Sequence, residues 1–477
     1  MIKESSHLGM LLKFLSTNNI INSKSVCFIV SFFLYLLVGI ISNVSEFPYD
    51  SGYYLSLAAS YGLFENFDIL HFSSSLRGYL YPLLLYPVIL ISNIGIGTIA
   101  IDLLVINSFV YSLLSSLIIP YFFEKVFAVK FRVYARYVFS IIFLFFFRGL
   151  IIYPLSDLPA IFFIFVAAIL TQKIYSEIKM PLSLYKCLIG LLCGVCLASA
   201  YYIRPIYLIS IIAWIILSII VIMINRKPKM LILVAFMLIG LALIASPQIY
   251  INTNNYDTVS PLILTEKSYD GDSLYLEQLG WGIYISKYET NMDLSHYPSA
   301  SLKYIDQTGL NIYNNNQIDS YIDYILLFLS HPLDMCCIYL LHLFNGLDIT
   351  YPSIYIYDLY DPLRTFTQLF NYTLLFIGIV GCVNLIKRTR YHDSLVVIGG
   401  MLLLPILLVI PTAVETRFFA ILSIIFYGLA TITITNIDLK DAINKSRKYI
   451  LYYVGFIIIC FILNHQVFSL VGIPHII

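Results

Sequence analysis

The sequence predicts an all-α, polytopic membrane protein, and three observations carry that expectation. The chain has 477 residues, 60% of them apolar and only 12% charged, whereas soluble domains run near ~25% charged. Apolar runs close to the ~20 residues a helix needs to cross ~30 Å of hydrocarbon recur along its length. The basic residues concentrate in short connectors between those runs. The same numbers exclude a soluble enzyme, a secreted disulfide module and a disordered scaffold. A net charge of +1 provides no global field to attract nucleic acid. The eight cysteines are mostly scattered through apolar stretches, without the spacing of a disulfide framework. Cys193 and Cys196 form a CxxC inside an apolar helix without partner ligands, which reads as small packing residues.

Eleven spans are expected, at 26–42, 97–120, 135–153, 158–175, 184–203, 205–225, 230–251, 366–386, 394–412, 417–435 and 449–470. Two more apolar stretches, 79–94 and 324–347, are interrupted, the first by Pro82 and Pro87, the second by His331, Pro332, Asp334 and His342. Lysine and arginine favour the cytoplasmic side, and this decides between the alternatives. If all thirteen stretches crossed, basic loops would fall on both sides. With the two interrupted stretches dipping in as re-entrant segments or lying at the interface, twenty of the 28 basic residues sort inside and twenty-one of the 27 acidic residues outside. The N-terminus is then inside, the basic-then-apolar leader is an uncleaved first span, and the C-terminus is outside. No repeat relates the two halves, which disfavours an inverted-repeat transporter. The chain divides into a membrane module at 1–251 with a first exterior loop at 43–96, a polar exterior region at 252–365 with an interfacial helix, and C-terminal spans at 366–477.

The first exterior loop opens Glu46-Phe47-Pro48-Tyr49-Asp50-Ser51-Gly52-Tyr53-Tyr54 and closes Arg77-Gly78-Tyr79-Leu80-Tyr81-Pro82. From Tyr53 to Leu63 the pattern suits a short amphipathic helix on the membrane surface. Asp50 stands just before it, where a carboxylate can cap free N–H groups. At the lipid–water boundary it can equally serve as a base between a polar acceptor and a lipid-borne donor.

Four pieces share this exterior placement: the Asp50 loop, Tyr153-Pro154-Leu155-Ser156-Asp157, Tyr201-Tyr202-Ile203-Arg204-Pro205, and Glu415-Thr416-Arg417-Phe418-Phe419. In this order they resemble the GT-C glycosyltransferases, a group that includes protein O-mannosyltransferases and lipid A aminoarabinose transferases. The resemblance implies a multi-span enzyme taking sugar from a polyprenyl-phosphate carrier on the outer face. Asp50 would be its catalytic residue, and Asp157, Tyr54 and Glu415 would contact acceptor or substrate; independently of the resemblance, the polar groups of the 324–347 stretch would present His331 toward a substrate cavity. Position 49 is Tyr, where the family usually has an acidic or polar partner for the catalytic Asp. No metal-ligand set is therefore implied, and no soluble cofactor, although a divalent metal is left open.

Arg77, Arg148, Arg204 and Arg417 all fall at exterior ends of apolar segments. They can snorkel there or pair with Asp157 and Glu415. They can also clamp a phosphate, for which the guanidinium fork suits better than an ammonium. His331 and Asp334 share a helical face by their i, i+3 spacing, but lack the further ligands a zinc site needs. No P-loop or GxGxxG stretch is present, in keeping with a donor that arrives in lipid.

The expected reaction is transfer of a sugar, with inversion, from polyprenyl phosphate to a hydroxyl of a glycan or lipid-linked acceptor at the outer face of the cytoplasmic membrane. The plentiful Ile, Asn, Lys and Tyr point to an AT-rich gene, common in bacterial surface-polysaccharide clusters, and tilt the acceptor toward O-antigen or lipopolysaccharide. The alternatives are a lipid-linked glycan polymerase and a flippase or transporter. The first would place arginines within the large exterior loop, and residues 252–322 hold none. The second would need charged or broken helices at mid-membrane.

Overall fold

The computed structural model describes residues 23–471 apart from positions 45, 96, 177–179, 266–272, 296–298, 300, 307, 310–311, 313–317, 389–392 and 437–438. Lys3, Lys13, Lys179 and Arg390, which contribute to the charge sorting, lie outside the described residues, as do the side chains of Lys440, Lys445, Arg447 and Lys448.

In chain order the first half comprises α1 (Lys24–Ser42), α2 (Tyr49–Ser60), α3 (Leu80–Asn93), α4 (Ile99–Val126), α5 (Val133–Ile152), α6 (Asp157–Ser176), α7 (Leu184–Ile203), α8 (Leu208–Ile224) and α9 (Leu231–Tyr256). The second half comprises α10 (Leu274–Tyr284), β1 (Ile285–Asn291), β2 (Ser301–Ile305), α11 (Tyr321–Ser330), α12 (Pro332–Leu347), β3 (Tyr355–Ile356), α13 (Arg364–Arg388), α14 (Asp393–Val409), α15 (Ala420–Asn436) and α16 (Leu439–Phe468). Ten helices among the described residues are long and apolar enough to cross a membrane, and a bent pair brings the number to eleven if it counts as one span. The fold is that of an all-α polytopic membrane protein.

Ten of the eleven expected spans coincide with those helices. The eleventh, 394–412, is the shorter α14, which ends at Val409 ahead of Pro411. The two interrupted stretches do not form straight spans. Residues 80–93 make the short α3, and 321–347 make α11 and α12, bent by 106° at His331-Pro332. Pro332 opens α12 at a position where its missing N–H costs nothing, while its ring clashes with the preceding turn and bars α11 from continuing.

Close helix packing is bought by small residues. Gly194 on α7 lies against the backbone of Met237 on α9, where any Cβ would clash, and Gly190 one turn earlier continues the same small-xxx-small stripe. Some polar side chains inside the bundle pair across helices: Trp214 Nε1 donates to Thr171 Oγ1 at 2.7 Å. α4 contains a single π turn at Leu114–Ile118. The buried Arg136 of α5 donates to the Ser116 carbonyl in that turn at 2.8 Å and pairs with Glu124 at 2.8 Å.

The strands are the departure from an all-helical expectation. They form one small sheet in the order β2-β1-β3, with β1 and β2 antiparallel and β1 and β3 parallel through Thr290↔Tyr355 and Asn291↔Ile356. The polar sequence Ile285-Ser286-Lys287-Tyr288-Glu289-Thr290-Asn291 hides the strand's period of two, because charged residues occupy the buried face as well.

Candidate active site

Each charged side chain of the site is aimed by a local break in helical structure. Pro48 precedes α2 in extended conformation and carries no side-chain cap. Asp50 therefore sits in the first turn of α2 rather than at its cap, because the helix starts four residues earlier than the amphipathic pattern indicates. A carboxylate there meets the positive end of the helix dipole. Tyr49, beside it, adopts φ +48°, a left-handed conformation that a bulky residue takes up only when its surroundings impose it. Asp157 likewise opens α6, after Pro154 has prevented α5 from running on. Arg204 stands between α7 and a 3₁₀ turn at Pro205–Tyr207, and the following proline keeps it extended, with φ −144° and ψ 113°. Arg417 belongs to the 3₁₀ turn Thr416–Phe419 that leads into α15. Arg77 lies in the loop before α3, where its N–H donates to Ser74 Oγ at 3.2 Å. Gly78, next to it, packs against the backbone of Tyr202 so closely that a Cβ would clash, and this brings the Arg77 loop onto the end of α7.

These segments converge on one cluster. Arg77 Nη2 lies 2.9 Å from Asp50 Oδ1, and Arg417 Nη2 lies 3.2 Å from Asp50 Oδ2. Arg417 Nε is 2.8 Å from Glu415 Oε2, and its Nη1 is 4.0 Å from Asp157 Oδ2. Arg204 pairs directly with Asp157. Phe418 lies under both guanidiniums, its centroid 4.8 Å from Arg204 and 5.6 Å from Arg417. Arg77 also faces the buried Tyr54 ring at 5.6 Å, and that ring is held edge-on by Tyr81.

Exposure separates the acids. The Asp50 side chain is 31% exposed, against 1% for Asp157 and 5% for Glu415. Asp50 alone of the three can meet a substrate without rearrangement. Burial would raise its pKa, yet Arg417 and Arg77 outweigh that and hold the carboxyl below its ordinary value. For Glu415 the balance is reversed: burial outweighs Arg417 and pushes its pKa up.

The structure thus brings together Asp50, Arg77, Arg204, Arg417, Asp157, Glu415 and Tyr54. It does not bring Arg148 or His331. Arg148 sits a turn before the C-terminal end of α5, half-buried, and makes no ion pair among the described residues. His331 stands at the bend between α11 and α12, 45% exposed, with Asp334 at 3.7 Å. No group of three or more His, Cys, Asp and Glu arranged to hold a metal ion occurs among the described residues.

Two residues of the site escape sequence reasoning. The Tyr355 hydroxyl lies 3.0 Å from the Pro48 carbonyl and 3.2 Å from Ser51 Oγ, so β3 holds the start of α2. Tyr288 of β1 has Glu415, Arg417 and Asp50 as its charged neighbours. Nothing in the sequence distinguishes either from the rest of the chain's 40 tyrosines. Compared with known proteins, the chain matches no family model, no curated protein and no solved structure, so the site stands on its own geometry.

Proposed function

We propose that this protein is a membrane glycosyltransferase that moves a sugar from a polyprenyl-phosphate donor to a hydroxyl acceptor, with inversion, at the outer face of the cytoplasmic membrane. The observation that carries the reading is the convergence of Arg77 and Arg417 on a part-exposed carboxylate, Asp50, with Arg204 held beside them on Asp157, at the ends of apolar helices. Arginines at that depth are suited to a lipid-linked phosphate, since the guanidinium fork pairs with two phosphate oxygens and the donor's tail stays in hydrocarbon.

The acceptor oxygen attacks the anomeric carbon from the side opposite the phosphate. Its bond to that carbon forms as the carbon–phosphate oxygen bond breaks, the electron pair leaves with the phosphate, and Asp50 takes the acceptor's proton. A carboxylate held below its usual pKa is a weak base, so the proton moves late, after the new bond has begun to form. Arg77 and Arg417 exchange part of their contact with Asp50 for the departing phosphate, whose growing charge they stabilise. Asp157 is too buried to meet substrate and orients Arg204. The acceptor class favoured is a bacterial surface glycan of O-antigen or lipopolysaccharide type.

The test is a membrane assay with labelled polyprenyl-phosphate sugar and mass analysis of the glycan. Transfer by the wild-type chain that is lost in Asp50→Asn supports the reading. Equal transfer by both, or by membranes lacking the protein, removes it.

A further inference from the structure

A second buried charged group lies on the other side of β1 and takes no part in the transfer chemistry. Lys287, 2% exposed, places Nζ 3.0 Å from Glu289 Oε1 and 3.4 Å from Asp348 Oδ2, and donates to the Asp348 carbonyl at 3.0 Å. Asp348 is fully buried beyond the end of α12. Its Oδ1 accepts from the Tyr372 hydroxyl of α13 at 2.7 Å, and its Oδ2 from the Asn464 amide of α16 at 2.6 Å. Two membrane helices are thereby tied to one exterior strand.

From that strand two links run to the candidate active site. The Tyr288 N–H donates to the Val414 carbonyl at 2.8 Å, one residue before Glu415. Further along the same edge β1 pairs with β3, whose Tyr355 hydroxyl contacts Pro48 and Ser51 on either side of Asp50. The pleat sends Lys287 and Glu289 to one face and Tyr288 to the opposite one. The strand is thus the only described piece of sheet that joins the Asp50 segment to the Glu415–Arg417 segment, and its anchor is ionic.

We propose that Lys287 and Asp348 are positioning residues: their buried ion pair fixes β1, and β1 sets Asp50 against Glu415 and Arg417. The consequence for catalysis rests on the transfer reading given above; the mechanical link does not. A buried pair is suited to this role because removing one partner leaves an uncompensated charge and loosens what it held.

The experiment is hydrogen exchange read by mass spectrometry on the full chain in nanodiscs. It compares wild type, Lys287→Met, Lys287→Arg and the triple variant Lys287→Met/Glu289→Gln/Asp348→Asn. The triple variant removes all three charges together and keeps the comparison open if Lys287→Met fails to fold. In the folded uncharged variant, exchange is expected to rise about tenfold or more in peptides covering 285–291, 47–53 and 412–418, with α5 unchanged. Lys287→Arg should restore protection. In the membrane assay Lys287→Met should raise the donor KM more than it lowers kcat, again with rescue by arginine. If 47–53 and 412–418 stay protected while 285–291 opens, or if nothing opens, the positioning role is overturned. If exchange spreads as expected but the wild-type chain transfers no sugar, the link stands and only the transfer reading falls.

Discussion

Arg417 joins the exposed acid of the site to a buried one: its Nη2 is 3.2 Å from Asp50 and its Nε 2.8 Å from Glu415. One guanidinium thus spans two carboxylates shifted in opposite directions, Asp50 lowered by its arginines and Glu415 raised by burial.

Asp50→Asn tests the base. The amide is nearly isosteric and can still accept hydrogen bonds at Oδ1, but it cannot take a proton. Transfer is expected to fall by ~10²–10⁴ with expression and melting close to wild type. Asp50 makes no side-chain cap bond, so α2 loses only the favourable meeting of the carboxylate with its dipole, about 0.3–1 kcal/mol. A fully active variant would end the assignment.

Arg417→Lys and Arg77→Lys separate fork from charge. Arg417 divides its nitrogens among Asp50, Glu415 and Asp157, whereas Arg77 reaches one carboxylate. Lysine preserves the charge and loses the fork. Binding of a C55 polyprenyl phosphate to the purified protein should weaken about tenfold in Arg417→Lys, and less in Arg77→Lys. The reverse ranking would contradict the geometry.

Asp157→Asn is a stability experiment. The carboxylate is 1% exposed and its partner Arg204 is 16% exposed, so neutralising it strands a largely buried guanidinium. A loss of about 3 kcal/mol or more is expected, read as a lower melting temperature in detergent. An unchanged melt would mean that the Arg204–Asp157 pair holds nothing in place.

The raised pKa of Glu415 has a defined pH signature. Burial lifts it above its unfolded-state value, so between those two values the native state binds more protons than the unfolded state. Stability contributed by this group is therefore full below the unfolded-state value, near ~4.3, and is lost as pH rises through the folded-state value. Melting temperature against pH should show that decline in wild type and lose it in Glu415→Gln. Asp50, shifted the other way, contributes stability above its unfolded-state value that disappears as pH falls.

Orientation is testable by impermeant thiol labelling of intact cells, in a background with the exposed Cys336 and Cys337 changed to serine. Cysteines at Ser56 and Tyr360 should label directly, and those at Lys227 and Lys387 only after permeabilisation. The opposite pattern would put the site on the wrong face for the proposed reaction.

Composition and hydropathy alone were enough to determine a helical polytopic membrane protein, because in hydrocarbon every backbone polar group must be satisfied within its own segment. The prolines also announced where chain direction changes: Pro154 before Asp157, Pro205 after Arg204 and Pro332 at the bend. The residues that cluster were mostly legible too, since a charge next to an apolar run is conspicuous, and Asp50, Arg77, Asp157, Arg204, Glu415 and Arg417 all stand in such places. Position along the chain could not say which of them meet. Arg148 satisfies the same rule as Arg417, yet only its rotation about α5 and its depth along it, fixed by packing, keep it outside. The sheet was hidden for a related reason: β1 buries Lys287 and Glu289 against partners more than fifty residues away in one case and in β2 in the other. A buried charge is indistinguishable from a solvated one until tertiary structure supplies the group that pairs with it.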